Sequence, residues 1–146
     1  MSTPTRRDAL AAGACALLAA SLACCTPAAA VRIEHAWVRA ADSTATTAAY
    51  FTLVNDGPDT LHVTGVSGDC AASIRMHRTV REDGMVSMRE ADGFDVPPHA
   101  RLAFAPGGNH VMLTTLAHAL VPGHAVALQL DLSGRPQLPI HAEVRP

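Results

Sequence analysis

The sequence predicts an all-β fold, an antiparallel sandwich or Greek-key barrel. Three observations point there. Beyond residue 30, apolar and polar residues alternate with period two in short runs. Clusters of Gly, Pro, Asn and Asp break those runs at intervals of roughly ten residues, as in sandwiches and barrels. No stretch carries the apolar spacing of a long amphipathic helix.

The candidate strands follow in order. Arg32–Arg39 comes first, then Ala49–Asn55, which the turn residues Asn55-Asp56-Gly57-Pro58 end. Leu61–Val66 is third. Ser73–Thr79 and Met85–Glu90 are joined across Asp83-Gly84, a strong two-residue hairpin signal. Pro97-Pro98 precedes Arg101–Phe104, and Pro106-Gly107-Gly108 precedes His110–Thr115. Leu116–Leu120 reads as a single helical turn before Pro122-Gly123. Ala125–Leu132 and Leu138–Val144 close the set around Ser133-Gly134.

Residues 1–30 read as an export leader: Arg6 and Arg7, an Ala-rich apolar run from Ala9 to Ala23, then small residues. Ala28-Ala29-Ala30 offers a cleavage site before Val31, leaving 31–146 as one β domain and a periplasmic location. Two variants stay open. Thr5-Arg6-Arg7-Asp8-Ala9-Leu10 resembles a twin-arginine signal, and Leu22-Ala23-Cys24-Cys25 resembles a lipoprotein box that would add a lipid anchor. Three of the four cysteines, Cys15, Cys24 and Cys25, fall in this leader. Cys70 alone remains, so the exported part has no internal disulfide to form.

Composition excludes several functions. All eleven basic residues are Arg, so Schiff-base and P-loop lysine chemistry are ruled out. Aromatics are 3% and the net charge is −2, becoming −3 for 31–146 with nine Arg against twelve acids. Neither suits nucleic-acid binding. No nucleophile elbow or zinc-protease sequence occurs.

What remains is an excess of imidazoles and thioethers. If Asp83-Gly84 forms the turn, Glu82 faces Met85 and Thr79 faces Met88. His77, two residues from Thr79, then shares the face of Met88, with Cβ atoms roughly 7–8 Å apart. His110 and Met112 are i, i+2 on one strand and share a face, while Val111 and Leu113 point the other way. Ile74 and Met76 likewise alternate with Arg75 and His77. Two imidazoles with two thioethers make a soft, neutral donor set that suits Cu(I) and binds zinc, magnesium or calcium poorly. Such a set also suits an oxidising compartment, where paired thiols would form a disulfide.

The full spacing is His77, ten residues, Met88, twenty-one residues, His110, one residue, Met112. This pattern resembles the periplasmic copper chaperones of the PCu(A)C family. The likeness extends to Ala36-Trp37-Val38-Arg39, Ala49-Tyr50-Phe51-Thr52-Leu53-Val54-Asn55, Met76-His77, Pro106-Gly107-Gly108-Asn109-His110-Val111-Met112-Leu113 and Leu120-Val121-Pro122-Gly123. The resemblance implies a cupredoxin-like β-barrel and one Cu(I) held by His77, Met88, His110 and Met112. It also implies a monomeric, non-enzymatic carrier that delivers copper toward the copper site of cytochrome c oxidase, with a thioredoxin-like assembly protein as co-worker.

Alternatives stand beside this reading. A cupredoxin-type electron carrier would need a Cys thiolate with two His and an axial Met, and Cys70 is the one thiol left to supply it. A general periplasmic copper buffer or tolerance protein would use the same ligands, and a structural β-sandwich would use none. Met85 is a weak fifth ligand candidate. His35, His62, His99, His118, His124 and His141 have no partner spacing and default to surface or hydrogen-bonded roles. Trp37 is assigned to the core. Glu82, Asp83, Glu90, Asp92 and Asp95 form either a solvated face or a docking surface for a basic partner.

Overall fold

A computed structural model describes residues 30–146. The leader, with Cys15, Cys24, Cys25 and both export-signal variants, lies outside the described residues. The described chain is all-β: β1 Val31–Arg39, β2 Thr47–Asn55, β3 Leu61–Ser67, β4 Ala71–Glu82, β5 Met85–Glu90, β6 Phe94–Val96, β7 Ala100–Phe104, β8 His110–Leu116, β9 Ala125–Leu132 and β10 Leu138–Arg145. Period-two alternation decides the faces. In β10 Ile140, Ala142 and Val144 are buried while Pro139, His141 and Glu143 face solvent.

The strands form one sheet in the order β5-β4-β8-β2-β1-β10-β9-β3-β6, with β7 also on β2. All pairings are antiparallel except β1 with β10, which run parallel over Trp37–Arg39. Residue periodicity carries no strand direction, so this parallel pair was not part of the antiparallel expectation. The sheet curls on itself. Strands from both halves of the path, including β4 through Met76 and β6 through Phe94, bury side chains in one apolar cluster. The two ends approach so closely that the Arg78 guanidinium lies 5.1 Å from the centroid of the Phe94 ring.

Three expectations need correction. The strand β6 was not foreseen: three residues between Gly93 and Pro97 are too few to show a period. It exists because it pairs with β3 at Leu61–Val63 and buries Phe94 and Val96. Leu116–Leu120 is not a helical turn. Leu116 ends β8, and Leu120 bridges to Ala41, so tertiary pairing overrides the local preference. Trp37 is not a core residue. A β-bulge between Glu34 and Trp37, with His35 at φ 54°, inserts one residue into β1. The shift turns Val38 into the core at 0% exposure and sends Trp37 to the opposite face.

His77 is paired on both sides, with His110 of β8 and with Glu90 of β5. Beyond it β4 leaves β8, and β4 and β5 continue as a two-stranded flap. Residues 81–90 are all exposed. The flap turns at Asp83 (φ 50°) and Gly84 (φ 76°), the pair of positive φ values that a type I′ turn requires.

At the other end, Arg32 bonds both Glu34 and Asp56, and Arg101 bonds Glu34 at 2.9 Å. Desolvation pushes the Glu34 carboxyl up, but the bonds from Arg101 and Arg32 outweigh it and hold it below 4.5. The bond from Arg32 holds Asp56 below 3.8. Lowered folded values stabilise the fold above the unfolded ones and lose that contribution as pH falls through the folded ones. Acid titration followed by circular dichroism should therefore show destabilisation setting in below pH 4.5, and Arg32→Gln should blunt it. In the core, Leu113→Ala should cost about 2–5 kcal/mol in denaturant unfolding, since Leu113 is fully buried.

Candidate metal centre

β4 and β8 carry the centre. Met76 of β4 and Val111 and Leu113 of β8 are buried in the core. Strand alternation therefore turns His77, Thr79 and Arg81, and His110 and Met112, to the opposite face. The register sets His77 directly across from His110, and their rings stack 5.5 Å apart at 10°. Met88 arrives on β5, paired with Thr79, in the register the Asp83-Gly84 turn predicts.

Met88, His110 and Met112 line one hollow of about 390 Å³. Tyr50, Val86 and Ala48 supply much of its apolar wall. Trp37 buttresses Tyr50 from the same outer face, with ring centroids 4.6 Å apart. His77 stands beside His110 and is not among the residues lining the hollow. The ligand types differ in exposure: His110 is 7% exposed, His77 and Met112 are half-buried, and Met88 is 62% exposed.

The imidazoles are held in a particular way. Gly108 O accepts a bond from Thr79 Oγ1 at 2.8 Å and faces His110 Nδ1 at 3.1 Å. A carbonyl can only accept, so the proton sits on His110 Nδ1 and Nε2 keeps its lone pair. Arg81 ties down the neighbouring Gly107 O at 3.1 Å. His77 Nδ1 is buried and has no hydrogen-bond partner. Such an orphan costs about 1–3 kcal/mol, and a metal ion is one group that can satisfy it.

The donor set is limited. Among the described residues, no three His, Cys, Asp or Glu side chains gather where one ion could reach them. An ion held by His77 and His110 would therefore need thioethers to complete its coordination, which selects a soft metal. Cys70 is 3% exposed within the core cluster, and burial pushes its thiol up, away from the thiolate a ligand must be. Among the described residues the electron-carrier reading thus lacks its sulfur. Met85 is 72% exposed and is not among the residues lining the hollow. Of the remaining histidines, His62 contacts Asp95 at 2.6 Å and His124 faces the Val121 carbonyl at 3.2 Å. The acids of the flap are largely spent on ion pairs, Glu82 with Arg89 and Glu90 with Arg75.

Tyr50, Thr79, Gly108, Arg39 and Arg81 complete the site, and sequence reasoning gave them no role there. Thr79 had a positional signal, its place opposite Met88; Arg39, Tyr50 and Gly108 lie in the family-like stretches without an assigned role, and Arg81 arrives by tertiary packing.

A family model described as "Putative lipoprotein LpqE-like" matches residues 31–144. The chain belongs to the LpqE-like family. "Putative lipoprotein Lxx21020" of Leifsonia xyli is 36% identical over 79% of this chain and 69% of its own length. An uncharacterised Rickettsia prowazekii protein is 29% identical over 90 residues, and the chain spans half of its length. Among solved structures, the copper-bound PCuAC domain from PmoF2 superposes with TM-score 0.66 at 26% identity, covering 80% of this chain and 92% of that domain. The Cu(I) form of DR1885 from Deinococcus radiodurans gives 0.66 at 28% identity, covering 87% and 85%. The PCu(A)C resemblance read from the His/Met spacing is thus shared by family and structural neighbours alike.

Thr79→Val removes one of two bonds to Gly108 O while keeping the side-chain shape. It should lower stability by about 0.5–1.5 kcal/mol in denaturant unfolding. Nitrogen NMR should show His110 keeping the Nδ1-protonated tautomer, since the Gly108 carbonyl still accepts from it, and Thr79→Ser should restore the lost stability.

Proposed function

We propose that this protein is an exported copper chaperone that binds one Cu(I) through His77, Met88, His110 and Met112. The carrying observation is the strand face on which two stacked imidazoles, one with an orphaned nitrogen, adjoin two thioethers with no third His, Cys, Asp or Glu in reach among the described residues. Thioethers discriminate for monovalent copper. Arg39 and Arg81 also line the hollow, and at any distance they repel a divalent ion twice as strongly as a monovalent one. The copper-bound PmoF2 domain and Cu(I)-DR1885 support the same cargo.

On this reading 31–146 is one monomeric copper-binding unit with a cupredoxin-like Greek-key arrangement. The parallel β1–β10 pair and the near-meeting of the sheet's ends support that arrangement. The protein is a carrier and catalyses no reaction. Residues 1–30 direct it to the periplasm, in keeping with the lipoprotein description of its family. The exposed Met88 lets a recipient sulfur or imidazole enter as it leaves, so copper passes by exchange of one ligand at a time. The recipient is the copper site of cytochrome c oxidase, reached directly or through a thioredoxin-like assembly protein.

Titrating the protein with Cu(I) against a competing chelator should show one equivalent bound. Met88→Ala and Met112→Ala should each weaken it by about tenfold or more, roughly 1.4 kcal/mol, and zinc should not displace the copper. Binding unchanged in both variants rules out the ligand set. Loss of the gene should lower oxidase activity under copper limitation, with recovery on copper supply; normal oxidase loading would exclude that destination.

A further inference from the structure

The charge pattern around the hollow departs from the rest of the molecule. Nine arginines lie in the described region. Six are ion-paired: Arg32, Arg75, Arg89, Arg101, Arg135 and Arg145. Arg78 lies over the Phe94 ring. The other two, Arg39 and Arg81, pair with no carboxylate among the described residues, and both line the hollow with Met88, His110 and Met112. Arg81 spends one nitrogen on the Gly107 carbonyl, which leaves its charge uncompensated.

Among the described residues no carboxylate comes within ion-pair distance of either guanidinium. On the hollow's face of the flap, Glu90 is already taken by Arg75 at 3.3 Å. Asp42, three residues from Arg39, lines a different depression with Ala119 and Pro122. The chain is net negative, with twelve acids against nine Arg beyond residue 30, yet the mouth of the candidate copper site is locally positive. A positive rim disfavours divalent ions more than monovalent ones, but it repels any bare cation and so does nothing to hold the metal. Beside the arginines stand exposed apolar groups, Val86 at 63% and Met88 at 62%. An apolar patch rimmed by unpaired guanidinium groups is the complement of a polypeptide that offers carboxylates around an apolar contact.

We infer that Arg39 and Arg81 form the docking site for a copper-exchange partner that presents carboxylates beside its own copper ligands. The inference rests on the copper-transfer reading and names the partner's chemistry. The guanidinium groups steer an acidic segment onto the hollow and set its register, so that the incoming ligand meets Met88 and Met112. A like-charged basic segment is turned away, which gives exchange a direction among partners that share the same copper ligands. It differs from the basic-partner option raised beside the solvated face for the flap's acids, of which Glu82 and Glu90 are already paired.

The test needs no metal, so it stands apart from the Cu(I) titration. Two synthetic peptides share one Cys-Met core, flanked by glutamates in one and by lysines in the other. Each is titrated into the metal-free isotope-labelled protein and followed by NMR. The acidic peptide should bind about tenfold tighter at low salt. It should shift the Arg39 and Arg81 side-chain signals and the Met88 and Met112 methyls. Arg39→Gln, which removes no hydrogen bond of the structure, should reduce the advantage, and Arg39→Gln with Arg81→Gln should abolish it. Arg135→Gln, remote and ion-paired, should leave it intact. Equal binding of both peptides, shifts away from the hollow, or a preference that survives the double variant overturns the inference. So does citrate producing the same shifts at equal carboxylate concentration, since that would mark a small-anion site. A failed Cu(I) titration with intact peptide preference would instead remove the copper reading and keep the docking surface.

Discussion

The antiparallel register between β4 and β8 is the constraint on which the rest of the molecule depends. It sets His77 across from His110 and, by strand alternation, Met76, Val111 and Leu113 into the core behind them. A slip of one residue would carry the imidazoles into the apolar interior and the core side chains into solvent. Burying an imidazole without a partner and exposing Leu113 are both costly. The energy that holds the core together therefore also holds the two histidines in place. No separate device is needed to assemble the site.

The outer face is built by departures from regular strand structure. The bulge at His35 reverses the alternation of β1 and delivers Trp37 against Tyr50, which walls the hollow. The Gly107-Gly108 turn brings two carbonyls to β4, where Thr79 and Arg81 bind them. One of those carbonyls orients His110. The site is thus positioned by two departures, the β1 bulge and the Gly107-Gly108 turn, both dependent on the shared sheet.

Much of this was legible beforehand because it rests on period and turn chemistry. Asp83-Gly84 announced a two-residue turn, and the pairing of Thr79 with Met88 followed from it. The alternation of His110, Val111, Met112 and Leu113 announced their faces. The parts that were not legible depend on distant residues. Phe94–Val96 has no period to read, and only β3 makes it a strand. Trp37 follows a bulge at His35 whose positive φ no pattern in the sequence reveals. The isolation of Arg39 and Arg81 is a property of where every acid in the chain ends up, and Arg39 looks no different in sequence from the ion-paired Arg101.

The flap gives the centre a gradient of stiffness. His110 and Met112 lie on a strand with neighbours on both sides, and His77 is paired on both sides where the flap begins. Met88 lies on β5, the last strand of the sheet, with solvent on both faces of the hairpin. Opening such a hairpin costs only the local pairing free energy, while moving the histidines costs that of the whole sheet. Taken as the ligands of one ion, as proposed, the four side chains would form a clamp with a fixed jaw and a loose one, and the ion would be let go first by the methionine at the edge and last by the histidines at the root.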